Sequence, residues 1–228
     1  MLIFMMLTFR VLWIGVFTLL LSACAGPKAP AQAAWVPDAT GWTLRDVDHA
    51  DPPLWVLYER DALGADVKEF RIVGVVDAEP DVAMRALRYR LLDEQYIPEG
   101  LQRRILEESA STVVLYGRTP LPFPFRDREA TEHLSFTHDP DAGVFRVDAK
   151  AIDPGGEPPR GVLRVPVIEN SWTLAPTGSG QSVFTTDTVH DIGGAFPNSL
   201  IYGPICDQLV EDLHTVRELA ASMEAAPR

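Results

Sequence analysis

The chain has 228 residues, with 32 acidic against 20 basic side chains and a formal net charge of −12 at pH 7. A charge of that sign repels phosphate backbones, which excludes nucleic acid as a partner, and an anionic membrane surface is disfavoured for the same reason. Two cysteines, Cys24 and Cys206, are too few for a disulfide scaffold.

In chain order, residues 1–23 come first and read MLIFMMLTFRVLWIGVFTLLLSA, with Arg10 ahead of an apolar run from Val11 to Leu21. Such a segment is a processing signal or a plain membrane anchor, not part of a folded core. It closes on Leu21-Ser22-Ala23-Cys24, which resembles a bacterial lipobox, where the cysteine is lipidated and becomes N-terminal. The resemblance implies a signal peptide over 1–23 and lipidation of Cys24; a Pro- and Ala-rich tether covers 24–37, and with no second linker, repeat or low-complexity tract after it, one domain is expected over 38–224. Ala25 follows the cysteine where retention at the inner membrane calls for Asp. By resemblance to proteobacterial lipoproteins, this implies the periplasmic side of the Gram-negative outer membrane. With Cys24 acylated, Cys206 has no partner, and its place on the apolar face of a predicted helix reads as a buried, inert thiol.

After the tether the pattern turns to strands. Leu54–Tyr58 and Lys68–Val76 read as strands, the second with Phe70, Ile72 and Val76 on one face and Glu69 and Arg71 on the other. Residues 62–66 form the hairpin loop between them. Glu79-Pro80-Asp81 opens a helix that Asp81 can cap, and Tyr96-Ile97-Pro98 ends it. A second short helix is expected over Glu99–Glu107. Strands resume at Thr112–Tyr116. Next comes RTPLPFPFRDRE, where Pro120, Pro122 and Pro124 remove donors from one side of an extended chain. This stretch is an edge strand, a bulge or a crossing, with Leu121, Phe123 and Phe125 facing inward, or else a polyproline-type linker. A long strand, Arg126–His138, puts Ala130, Glu132, Leu134 and Phe136 on one face. A turn at 139–143 leads into Val144–Lys150, with Phe145 and Val147 on one face. Residues 162–168 and 171–174 are extended, and a Gly-rich turn precedes Gln181–His190. The last element is a helix capped by Asn198 or Ser199. Ile201, Ile205, Leu209, Leu213 and Val216 form its apolar stripe, and Gly203-Pro204 should kink or delay its first turn.

A single apolar stripe on the last helix requires a sheet to cover it. The expected fold is α+β: a curved antiparallel sheet wrapped around a long C-terminal helix, with two shorter helices inserted between strands. Two motifs then carry a resemblance to the START family of lipid-transfer domains. The first is Tyr116, the proline-broken segment and Arg126-Asp127. The second is Asp191-Ile192-Gly193-Gly194-Ala195-Phe196-Pro197 at the mouth of the last helix. Trp172 fits a third, shorter pattern of that family. The resemblance spans roughly residues 40–222 and implies a helix-grip fold, a monomer, and a hydrophobic ligand, lipid or sterol-like, in an internal cavity closed by the C-terminal helix. Arg126, Asp127, Gly193 and Gly194 are its structural residues. Candidate cavity residues are Glu132, Leu134, Phe136, Phe145, Val147, Trp172, Ile205 and Leu209. Glu132 shares a face with Leu134 and Phe136, and a carboxylate in an apolar wall needs a partner.

The sequence carries no phosphate loop, no Gly-x-Ser-x-Gly and no His-Glu-x-x-His. His133 and His138, five apart on one strand, point to opposite faces and cannot share a metal. No cofactor and no catalytic residue are expected. Helix-grip relatives include polyketide cyclases, so an enzyme acting on an apolar substrate is the second reading. A non-ligand-binding envelope interaction protein is the third.

Overall fold

The computed structural model describes residues 40–62 and 67–225. The lipobox, Cys24 and the tether lie outside these residues. In chain order the elements are β1 (Thr43–Val47), β2 (Trp55–Asp61), β3 (Lys68–Val76), α1 (Pro80–Leu92), β4 (Gln102–Glu108), β5 (Thr112–Thr119), β6 (Asp127–Asp139), β7 (Val144–Ile152), β8 (Val162–Arg164), β9 (Val167–Pro176), β10 (Ser182–Asp191) and α2 (Tyr202–Ala225). Nine strands form an antiparallel path ordered β1-β2-β3-β10-β9-β7-β6-β5-β4, and β8 pairs in parallel with β6. This is the expected helix-grip architecture: a ten-stranded sheet with a long C-terminal helix on one face.

Alternation decides which face the helices cover. On β10, Ser182, Phe184, Thr186 and Thr188 are buried, and their pairing partners on β9 include Leu174 and Trp172. On β3, Phe70, Ile72 and Val76 point the same way. α2 answers with Leu209, Leu213, Val216 and Ala220, and α1 with Ala83, Met84 and Leu87. Burying one such leucine or valine contributes about 1.5–3 kcal/mol. The two helices lie against each other and against β3, β7 and β9. A buried ion pair joins them, Arg90 Nη2 to Asp212 Oδ1 at 2.6 Å. Burial pushes the Asp212 carboxyl up, with Arg90 opposing it.

Several local expectations are corrected. The predicted helix over Glu99–Glu107 is strand β4, the sheet edge beyond β5. Its residues are good helix formers, but pairing from Gln102↔Arg118 to Glu108↔Val113 outweighs a weak propensity. Its second residue, Arg103, donates to the carbonyls of Leu91 (2.6 Å) and Asp93 (2.8 Å), and so satisfies the orphan acceptors at the end of α1. α1 starts with Pro80 at its first position and has no side-chain cap; Asp81 sits in the first turn. Asn198 does not cap α2. It lies in a 3₁₀ turn, Asn198–Leu200, and its amide bonds Asp191 and the N–H of Ile192. Gly203 and Pro204 lie inside the first turn of α2, which begins at Tyr202 ahead of them, where a proline is tolerated.

The proline-rich stretch is a hairpin loop. β5 and β6 pair directly up to Thr119↔Arg128, and residues 120–126 close the turn. Its apolar residues part ways instead of all facing inward. Phe125 stacks edge-on against Phe196 at 4.7 Å, while Phe123 is 97% exposed. Asp127 takes its charge partner from Arg118 (2.6 Å) and accepts from the N–H of Leu121 (3.3 Å). Arg126 is exposed and contributes its carbonyl, which accepts from Arg128.

One close approach ties sheet to helix. A Cβ at Gly74 on β3 would overlap Leu213 Cδ2 of α2. Leu213→Ala should cost about 2–5 kcal/mol of unfolding free energy. Gly74→Ala should also destabilise. In the double variant the two costs should fall short of their sum, because the shortened residue vacates the space the new methyl needs. Urea denaturation of the three variants checks this, and strictly additive costs would contradict it.

Candidate functional site

α1 reaches β4 and β6 through Arg88, but no residue of α1 or α2 lines the part of the concave face beside Gly117, Ala130 and Glu132. A cavity of about 240 Å³ opens there. β5 and β6 supply one wall through Leu115, Gly117, Ala130 and Glu132, and Arg103 joins from β4. Opposite stand Ile168 of β9 and His190 of β10. Ile192 and Ile201 close it from the segment that leads into α2. The lining is mostly aliphatic.

The roof is held by Arg128. This buried guanidinium donates through Nε to the Ile192 carbonyl (2.6 Å), through Nη2 to that of Gly193 (2.8 Å) and through Nη1 to that of Arg126 (2.5 Å). One side chain thus pins both the proline loop and the Gly-Gly loop to β6. Gly193 and Gly194 have φ of +67° and +71°, which side chains disfavour. A Cβ at Gly194 would also come within 2.9 Å of Leu163. Glu129, beside Arg128 on β6, accepts from the Tyr116 hydroxyl (3.1 Å) and from Arg164 (3.3 Å).

Two polar groups on the wall are placed differently. Glu132 makes no hydrogen bond to any described residue. Burial pushes its carboxyl up, with the Arg103 charge opposing the shift. His190 Nε2 lies 3.0 Å from Asn170 Oδ1 and 3.1 Å from Thr188 Oγ1. Burial lowers its pKa to about 4, so the imidazole is neutral at pH 7.

Of the residues singled out from the sequence, Glu132 lines this cavity. Leu134, Val147, Trp172 and Leu209 lie in the packed core beneath the helices, and Phe136, Phe145 and Ile205 are half-buried against it. Phe136 lies under the Arg88 guanidinium, and Phe145 stacks on His138. The C-terminal helix reaches the cavity through Ile201, just before its first turn. Sequence reasoning missed Arg103, Arg128 and His190. Strand parity could have found His190, which shares a face with Thr186 and Thr188. Arg103 was hidden by the mistaken helix.

Strand order and the gripped C-terminal helix define a helix-grip fold like that of START structures. Comparison with solved structures agrees. A STAR-related lipid transfer protein of Xanthomonas axonopodis superposes with TM-score 0.64 at 21% identity, over 79% of this chain and 99% of that one. Human StAR-related lipid transfer protein 5 gives 0.63 at 13% identity, over 82% and 89%. The Zhui aromatase/cyclase of Streptomyces gives 0.50 at 14% identity, over 70% and 97%. An uncharacterized protein of Pseudomonas aeruginosa is 27% identical over 167 residues, 72% of this chain and 81% of its own. No family model matches the chain.

The raised Glu132 carboxyl has a consequence for stability. The native state holds this proton more tightly than the unfolded chain does, so stability falls as pH rises from the ordinary value of 4.5 through the raised native value. Glu132→Gln removes that loss. The variant's Tm should exceed wild type by a margin that widens as pH rises above the ordinary value of 4.5. A margin independent of pH would contradict a carboxyl whose proton is held by burial.

Proposed function

We propose that this chain binds a hydrophobic small molecule, a lipid or lipid-like compound, in the cavity between β4–β6 and β9–β10, and carries it in the bacterial cell envelope. The observation behind this reading is the cavity itself: a space inside a START-type fold whose exposed wall is mostly apolar and whose cations are bound to backbone carbonyls. The lipobox ending at Cys24 supports an envelope location with the domain tethered to a membrane. Cavity closure falls to the Asp191–Ile201 segment and the turn before α2. The body of α2 packs on α1 and the sheet.

A second reading, an enzyme working on an apolar substrate, draws on Glu132 and His190 sharing one cavity. Mass spectrometry separates the two. A binding protein releases the same compound that was loaded; an enzyme returns a product.

Gly117 offers a direct test. It lines the cavity, and a Cβ there would meet nothing nearer than the Gln102 carbonyl at 4.0 Å. Gly117→Leu should therefore fold and fill the space. Organic extracts of purified wild-type protein should contain a hydrophobic compound that is depleted at least several-fold from Gly117→Leu. Equal recovery from both proteins would remove the cavity as the binding place. Separately, Cys24→Ser should abolish metabolic labelling with an alkyne fatty acid, and continued labelling would refute lipidation there.

A further inference from the structure

Five ionisable side chains line the cavity among the described residues: Arg103, Arg128, Glu129, Glu132 and His190. Three of them are already engaged. Arg103 donates to two carbonyls at the end of α1. Arg128 donates through all three of its nitrogens to loop carbonyls. Each oxygen of Glu129 has its own donor. Of these five ionisable groups, Glu132 and His190 Nδ1 are left without a hydrogen-bond partner among the described residues.

Their chemistry is opposite. The Asn170 amide oxygen can only accept, so the imidazole hydrogen is on Nε2, and Thr188 Oγ1 lies beside the same atom. Nδ1 keeps its lone pair and makes no hydrogen bond to any described residue. His190 thus presents an acceptor. Glu132 makes no hydrogen bond to any described residue, and burial favours its neutral form against the opposing charge of Arg103. A neutral carboxylic acid presents an O–H donor.

The two groups lie on opposite walls. His190 pairs with Ile168, Lys150 with Glu169, and Glu132 with Ala151, so His190, Ile168 and Glu132 share one row across the sheet. Three strand spacings, roughly 14 Å along the sheet, separate them, and the chord across the curved face is shorter. No single ligand atom reaches both.

We propose that the cavity selects a small apolar molecule polar at both ends, with a hydroxyl-type donor facing His190 and a carbonyl-type acceptor facing Glu132. The volume of about 240 Å³ lies below the roughly 300–1,000 Å³ of typical ligand pockets. It fits a fused two-ring or short-chain hydroxyketone and excludes a whole phospholipid. This assignment rests on the ligand-binding reading above.

Four fluorescent probes of one shape test it on the full chain: naphthalene, naphthol, acetylnaphthalene and acetylnaphthol. Wild type should bind acetylnaphthol tightest and naphthalene weakest. His190→Phe should weaken naphthol and acetylnaphthol by about threefold to tenfold, the worth of one neutral hydrogen bond, and leave acetylnaphthalene unchanged. Glu132→Leu should do the reverse. Asn170→Leu removes the acceptor that keeps the hydrogen on Nε2; it should weaken naphthol while the imidazole is still present, which separates the role of Nδ1 from loss of packing. Equal affinity of all four probes in wild type and variants would overturn the two-ended assignment while leaving the cavity reading intact. Failure of every probe to bind, naphthalene included, would overturn the cavity reading itself.

Discussion

Everything in this molecule follows from one mismatch of dimensions: a ten-stranded curved sheet presents more concave apolar surface than two helices cover. α2 and α1 pack over β3, β7 and β9, where Leu213 meets Gly74 and Leu209, Val216 and Ala220 complete a dry core. The stripe on α2 can be buried only against this sheet, so the helix and the sheet depend on each other. Beside Gly117, Ala130 and Glu132 no residue of either helix lines the concave face. The loops that lead into and out of the neighbouring strands close it instead, and the space they leave is the cavity.

That closure relies on polar groups working in a largely apolar setting. A buried guanidinium is tolerable when its donors are satisfied, and Arg128 meets that condition with three backbone carbonyls from two loops. The carbonyls belong to segments without regular structure, where ladder partners are absent. The same guanidinium therefore solves two problems: it satisfies the loops' acceptors and fixes the loops over the cavity. Arg103 does the corresponding work at the end of α1. With these cations engaged structurally, the cavity keeps a mostly aliphatic wall, with Glu132 pushed by burial toward its neutral form and His190 neutral. Such an environment favours an uncharged apolar ligand over an ionic one.

The split between helices and cavity also explains why the residues read from strand alternation divide as they do. Alternation identifies which face of a strand is buried, and for Leu134, Val147 and Trp172 that face is the concave one. It carries no information about what lies above that face. Leu134 and Glu132 are two residues apart on β6, yet Leu134 lies in the packed core and Glu132 faces the cavity. The difference is set by where α1 and α2 end, which is decided by contacts between elements far apart in sequence.

By itself, the sequence determined the periodicities: period-two strands, the stripe of α2, the turn residues, and from their order an α+β fold with a sheet gripping the last helix. These are legible because each depends on residues within a few positions of one another. Tertiary structure alone decided that Gln102–Glu108 is an edge strand, since its strong helix formers lose to pairing with β5. It also decided that Asp127 answers to Arg118 and that His190 meets Asn170 across a strand pair. The physical reason is common to all three. Pairing partners, charge partners and empty space are set by which distant segments become neighbours, and no local pattern encodes that.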